Sequence, residues 1–203
     1  MADDIFDAIG DKFVGYGNAL FRIGDVIPDL DLDLLAENAA GGIDVLGCLF
    51  GAALVALSLW LPRQDIARRT VRDKRLTRFI AVCLLSGYGW LLLAGAIILG
   101  AGLVPGSAAY GAALHALMLG FVFSMVFGHA PIIFPAVLRV AVPYHPLFYA
   151  PLALLHLSLA VRLAGDLAGL ADWRSLGGLL NALALAAFIL NTIAAVIRGK
   201  FSR

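Results

Sequence analysis

The sequence predicts an all-α protein, a polytopic membrane bundle of five transmembrane helices, and three observations predict it. Of 203 residues, 62% are hydrophobic and only 14% charged, where a soluble domain has about a quarter of its residues charged. Mean hydropathy is +0.93, and apolar runs of about 20 residues recur, each sufficient to cross a hydrocarbon core of about 30 Å as a helix. The basic residues gather in alternate loops, as they do in multi-pass chains. A chain of this length makes one compact bundle with no room for a second large domain.

Residues 1–42 form the one substantial polar segment, holding ten of the fourteen acidic residues if Asp44 is counted with them. Ile5, Ile9, Phe13, Tyr16 and Leu20 recur at helical spacing, which predicts a short amphipathic helix. Pro28 and the pair Gly41-Gly42 read as turn or linker. The first residues are acidic and no apolar core follows them, so a signal peptide is not expected.

The membrane domain, residues 43–203, is expected to cross at about 43–61, 79–103, 107–130, 146–163 and 176–197. Pro62 closes the first span. The loop after it carries Arg63, Arg68, Arg69, Arg72, Lys74, Arg75 and Arg78. A basic cluster in a short loop between two spans is explained by the positive-inside rule, not by nucleic-acid binding. Pro105-Gly106 turns the chain into the third span. Pro131 and Pro135 are expected to end or kink that span, because proline removes a backbone donor and clashes one turn back. Pro146 suits the first turn of the fourth span. The segment GDLAGLADWR reads as a loop before the fifth, and RGKFSR closes the chain as a basic tail. With the Arg-rich loop cytoplasmic, eleven of fifteen basic residues lie inside and twelve of fourteen acidic ones outside. The expected orientation is N-terminus outside and C-terminus inside, in a cytoplasmic membrane of the bacterial type.

Cys48 and Cys83 both fall in apolar runs, as buried or lipid-facing thiols, and no CxxCH motif offers covalent haem attachment. The sequence has no P-loop, dinucleotide fingerprint or metalloprotease motif. Its chemistry lies in four histidines: His115, His129, His145 and His156. Ionisable groups at membrane depth are costly and mark functional sites. On an ideal helix His115 and His129 lie 40° from alignment and about 21 Å apart along the axis. The next span runs antiparallel, so His156 reaches a depth near that of His115. Two imidazoles at one depth on neighbouring helices suit a haem or a copper ion. His115 and His156 are therefore the candidate cofactor and metal ligands, with His129 and His145 a second candidate pair nearer the inner surface. Met118 and Met125 lie near the histidine face. Arg162 and Arg139 are placed to meet haem propionates or to snorkel, and Tyr88 and Trp90 to flank a macrocycle. Gly120, Ser124 and Gly128 form a small-residue ridge for close helix packing. The plain alternative is that each imidazole only hydrogen-bonds to a backbone carbonyl. A proton relay competes, but no Asp or Glu lies within the second to fifth spans to continue it. A small transporter lacks the paired interrupted helices of a midplane substrate site.

The segment HALMLGFVFSMVFG, from His115, followed by HAPIIFPAVLR, resembles the haem- and copper-containing NnrS family and, more distantly, helices of the catalytic subunit of haem–copper oxidases. In those families a span opens as His-Ala-Leu-x-x-Gly; His115 matches the histidine and Gly120 the glycine. TRFIAVCLLSGYGWLLLAGAIIL is similar to the family's preceding span, so the resemblance covers about 77–197. It departs in having about half the family's spans and GHAPIIFP in place of a Gly-His-Thr-Gly turn. The resemblance implies haem b, or copper, and a link to respiratory electron transfer or nitric oxide response. A cytochrome or another respiratory membrane subunit would then be the partner, docked on the acidic tail. The alternative is a non-catalytic membrane subunit or assembly factor with structural histidines.

Overall fold

The structure is a computed structural model that describes residues 32–140 and 142–201, with side chains from residue 45 onward except at 138, 200 and 201. The expected N-terminal amphipathic helix lies outside the described residues. The chain divides into two units, Met1–Ile43 and Asp44–Arg203. The second holds five helices long and apolar enough to cross a membrane: Val45–Gln64, Arg75–Ala101, Ala108–Val137, Pro146–Ala168 and Ala171–Gly199. In chain order the elements are α1 (Leu32–Gln64), a single turn α2 (Ala67–Thr70), α3 (Arg75–Ala101), α4 (Ala108–His115), a π-helical segment (Ala116–Val122), α5 (Phe123–Leu138), a 3-10 turn (Pro146–Phe148), α6 (Tyr149–Ala168) and α7 (Ala171–Phe201). No strand occurs among the described residues.

Several expected boundaries are corrected. Pro62 lies inside the last turn of α1, where few backbone bonds remain for a proline to remove. The helix beginning at Phe123 continues through Pro131 and Pro135 to Leu138. The break in the third span lies upstream instead, in the seven-residue π segment that starts directly after His115. The expected loop GDLAGLADWR is mostly helix: α6 runs to Ala168, Gly169 adopts the left-handed conformation at φ 69°, and α7 starts at Ala171. Prolines are expected to close the first and third spans and the charged segment after Leu163 the fourth, whereas the backbone continues until a residue such as Gly169 turns it.

In a bilayer the helices gain little from apolar burial against one another, so close backbone approach and buried polar bonds hold the bundle. The expected ridge is present and faces α3. A Cβ on Gly120 would collide with the indole of Trp90, one on Gly87 would meet Ser124 at 3.3 Å, and one on Gly128 would meet Cys83 at 3.0 Å. Rising numbers on one helix against falling numbers on the other make the pair antiparallel. On the other side of α3, Gly51 and Gly95 cross so closely that a Cβ on Gly95 would stand 2.8 Å from the Gly51 carbonyl oxygen. The α6–α7 hairpin is locked similarly, with Gly177 against the Arg162 backbone. α3 and α6 run parallel: Phe79 meets Phe148 at 5.6 Å between ring centroids, and Trp90 meets His156 further along both helices.

Among the described residues the interior has two apolar clusters. One holds Phe79, Cys83, Phe127, Phe148, Leu152, Leu155 and Phe188, with Phe127 and Phe188 stacked 3.9 Å apart. The other holds Leu54, Leu91, Ala94, Ile98, Ala112, Ala113, Leu159 and Leu163. His156 falls in sequence between Leu155 of the first and Leu159 of the second, where the buried side chains become polar.

Candidate functional site

Ser86 and Trp90 stand one helical turn apart on α3, so they share a face, and that face meets α6. His156 lies between them. The Trp90 indole Nε1–H donates to His156 Nδ1 at 2.8 Å, and His156 Nε2 lies 3.0 Å from Ser86 Oγ. An indole nitrogen only donates, so Nδ1 accepts and a neutral imidazole carries its proton on Nε2. The Ser86 hydroxyl spends its hydrogen on the Cys83 carbonyl at 3.1 Å, leaving its oxygen to accept from Nε2–H. Trp90, His156, Ser86 and Cys83 thus form one directional chain with every donor matched. Both nitrogens of His156 are committed within it.

One residue pair along, Ser158 donates to Asn181 Oδ1 of α7 at 2.6 Å, its hydroxyl also lying 3.0 Å from the Leu155 carbonyl. Ser124 donates to the Gly120 carbonyl at 2.5 Å, within the span interrupted by the π segment. These bonds satisfy hydroxyls where water is excluded.

His115 has a different setting. Its Nδ1–H donates to the Gly111 carbonyl one turn earlier, at 2.6 Å. A carbonyl only accepts, so in the neutral ring Nε2 is left as a bare lone pair. With Leu114, Met118 and Leu119 it lines an apolar groove of about 260 Å³. His129 repeats the arrangement with the Met125 carbonyl at 2.7 Å. The π segment separates the two, and each residue of a π turn advances less than the 100° of an α-helix, so the alignment expected for an uninterrupted helix no longer holds. His145 is exposed and accepts from the Leu147 N–H at 3.2 Å, capping the 3-10 turn.

The remaining expected participants are dispersed. Arg162 is held in the α6–α7 hairpin, 3.9 Å from the buried Asp166 and donating to the Arg174 carbonyl at 3.5 Å. Arg139 is exposed at the C-terminus of α5, with φ 54°. Met118 shares the groove with His115, whereas the Met125 methyl packs against Gly87. Tyr88 donates to the Asp65 carboxylate. Among the described residues no hydrogen bond joins His115 to His156, and no group of three or more His, Cys, Asp or Glu could hold a metal ion. The Ser86–Trp90 spacing was visible in the sequence; that His156 is its partner was not.

A family profile described as a domain of unknown function, DUF8744, matches residues 35–197. The chain belongs to this family. The match takes in all four histidines, the arginine-rich loop and nearly all of the five spans of this DUF8744 protein. No curated protein and no solved structure matches the chain.

Proposed function

We propose that this DUF8744 protein is a multi-pass membrane protein that binds haem b, or copper, through His115 and serves respiratory electron transfer or the nitric oxide response. The observation that carries the reading is the imidazole of His115, oriented by its Nδ1–H bond to Gly111 with Nε2 unengaged among the described residues, beside Met118. A backbone bond at one ring nitrogen is the usual device for fixing the tautomer and direction of an axial ligand. The similarity of the segment from His115 to the NnrS family supports the same residue. His129 has the same bond and, about 21 Å along the same span, is the candidate for a separate second site.

The residues fit the group in part. His115 offers one nitrogen donor, and Met118 offers a thioether suited to haem iron or copper(I). The groove is smaller than the ~300–1,000 Å³ of an enclosing ligand pocket, so His115, Met118, Leu114 and Leu119 would cover only part of a bound macrocycle. Haem bound at this place supplies one-electron chemistry or a site for a diatomic gas. The chain's own part is to fix the ligating ring and to keep water away with Leu114 and Leu119. His156, with both nitrogens engaged, offers no free donor and serves here as a positioning and packing residue.

A second reading, a non-catalytic membrane subunit or assembly factor with structural histidines, is favoured by that same His156 chain. An absorption spectrum and metal analysis of the purified protein separate the two. A Soret band or stoichiometric copper supports the first; a colourless, metal-free, folded protein supports the second.

A further inference from the structure

The loop between α1 and α3 has a structure that its topological role does not require. Arg63, Arg68, Arg69 and Arg72 surround a cavity of about 470 Å³, with Asp65 in its wall. The positive-inside rule asks only for a number of charges on one side; it does not ask that they enclose a space. Two bonds shape this one. Asp65 Oδ1 accepts from the Ala67 N–H at 3.0 Å and Oδ2 accepts from Tyr88 on α3. The carboxylate is thereby tied to the start of α2 and to the bundle. Among the described residues neither Asp65 nor Asp73 forms an ion pair with the four arginines. Arg63 is pinned at the end of α1 by donating from Nη1 to the Leu59 carbonyl at 3.0 Å, which leaves four of its five N–H donors.

We propose that this cavity binds a phosphate-bearing anion, either the headgroup of an acidic phospholipid or free phosphate. Four guanidiniums against one carboxylate leave a strong positive excess, and planar N–H forks match phosphate oxygens. The cavity also lies at the end of a span, and two side chains close to its lining residues in sequence, Trp60 and Ile66, are apolar and exposed. Such residues belong at a membrane–water boundary, the level at which lipid phosphates lie. The site is separate from the histidines and does not depend on what they bind.

The test is thermal unfolding of the full chain in dodecyl maltoside with added dioleoylphosphatidylglycerol, dioleoylphosphatidylcholine or sodium phosphate, at matched ionic strength. Phosphatidylglycerol is expected to raise Tm in a saturable way, with phosphatidylcholine inert. The variant R68Q/R69Q/R72Q should weaken the apparent affinity at least roughly tenfold, since each basic residue near an anionic surface contributes severalfold. Saturable stabilisation by phosphatidylglycerol alone assigns the site to lipid. Equal stabilisation by sodium phosphate, with competition between the two, assigns it to free phosphate. If the triple variant does not fold, R68Q and R69Q singly carry the same comparison. The proposal is overturned if neither anion stabilises the wild-type chain beyond phosphatidylcholine, or if the variants respond as the wild type does.

Discussion

Trp90 on α3 and His156 on α6 share a hydrogen bond of 2.8 Å, their rings 24° from parallel with centroids 6.1 Å apart. The bond joins two helices that run in the same direction and lie in different hairpins. With the Ser86 oxygen on the opposite ring nitrogen, His156 is held from both sides by α3. Polar contacts between membrane helices contribute about 0.6 kcal/mol each on average, up to about 1.7. The two bonds are therefore a modest but directional lock.

Replacing Trp90 by Phe removes the donor and keeps most of the ring. W90F and H156A should each lower stability by about 1 kcal/mol. Combined, they should cost less than the sum of the two, because they break the same bond. Equilibrium unfolding in mixed detergent measures all four corners of that cycle. Strict additivity would show that the two residues do not interact.

The ridge on the third span makes a sharper steric prediction. At Gly120 even a methyl group runs into Trp90, whereas nothing lies within 4 Å of a Cβ on Gly89. G120A should destabilise by about 1–3 kcal/mol through overpacking, while G89A should be neutral or slightly stabilising through helix propensity. Equal effects at both positions would contradict the α3 packing described above.

Asp166 is buried, with Arg162 and Arg174 each 3.9 Å away. D166A leaves Arg162 half-shielded and without its counter-charge. A loss of about 2 kcal/mol is expected, below the 3–5 kcal/mol of a fully buried pair because Arg174 is largely exposed. Substituting Arg174 by Gln should cost less than half as much. Thermal melts of the three chains check the order.

The two cysteines report burial directly. Cys48 is exposed and Cys83 fully buried in the cluster around Phe79 and Phe127. A membrane-permeant maleimide should label Cys48 in the folded protein and reach Cys83 only after denaturation. Mass spectrometry of the labelled peptides gives the result.

How much of this was legible in the sequence differs from level to level. The five spans follow from apolar run length alone, and the ridge Gly120–Ser124–Gly128 follows from helical spacing. The span ends were placed too early because charges such as Asp166 and Asp172 mark where apolar composition stops, not where backbone hydrogen bonding stops. The π segment after His115 escaped notice for a related reason. It coincides with Trp90 lying against Gly120, a contact that belongs to the packed bundle. The histidine pairing rested on equal depth, which constrains height in the membrane but not direction around each helix. Direction sets the partners, and it gives His156 to Trp90 and Ser86 while leaving His115 on the Gly111 carbonyl of its own helix.

That difference between two histidines is the point on which the functional account turns. The most direct measurement is the absorption spectrum of the protein purified from haem-replete cells, compared among wild type, H115A and H156Q. The account predicts a Soret band in the wild type, its loss in H115A, and its survival in H156Q at reduced thermal stability. A wild-type protein with neither the band nor stoichiometric copper, or a band that H115A retains, would contradict it.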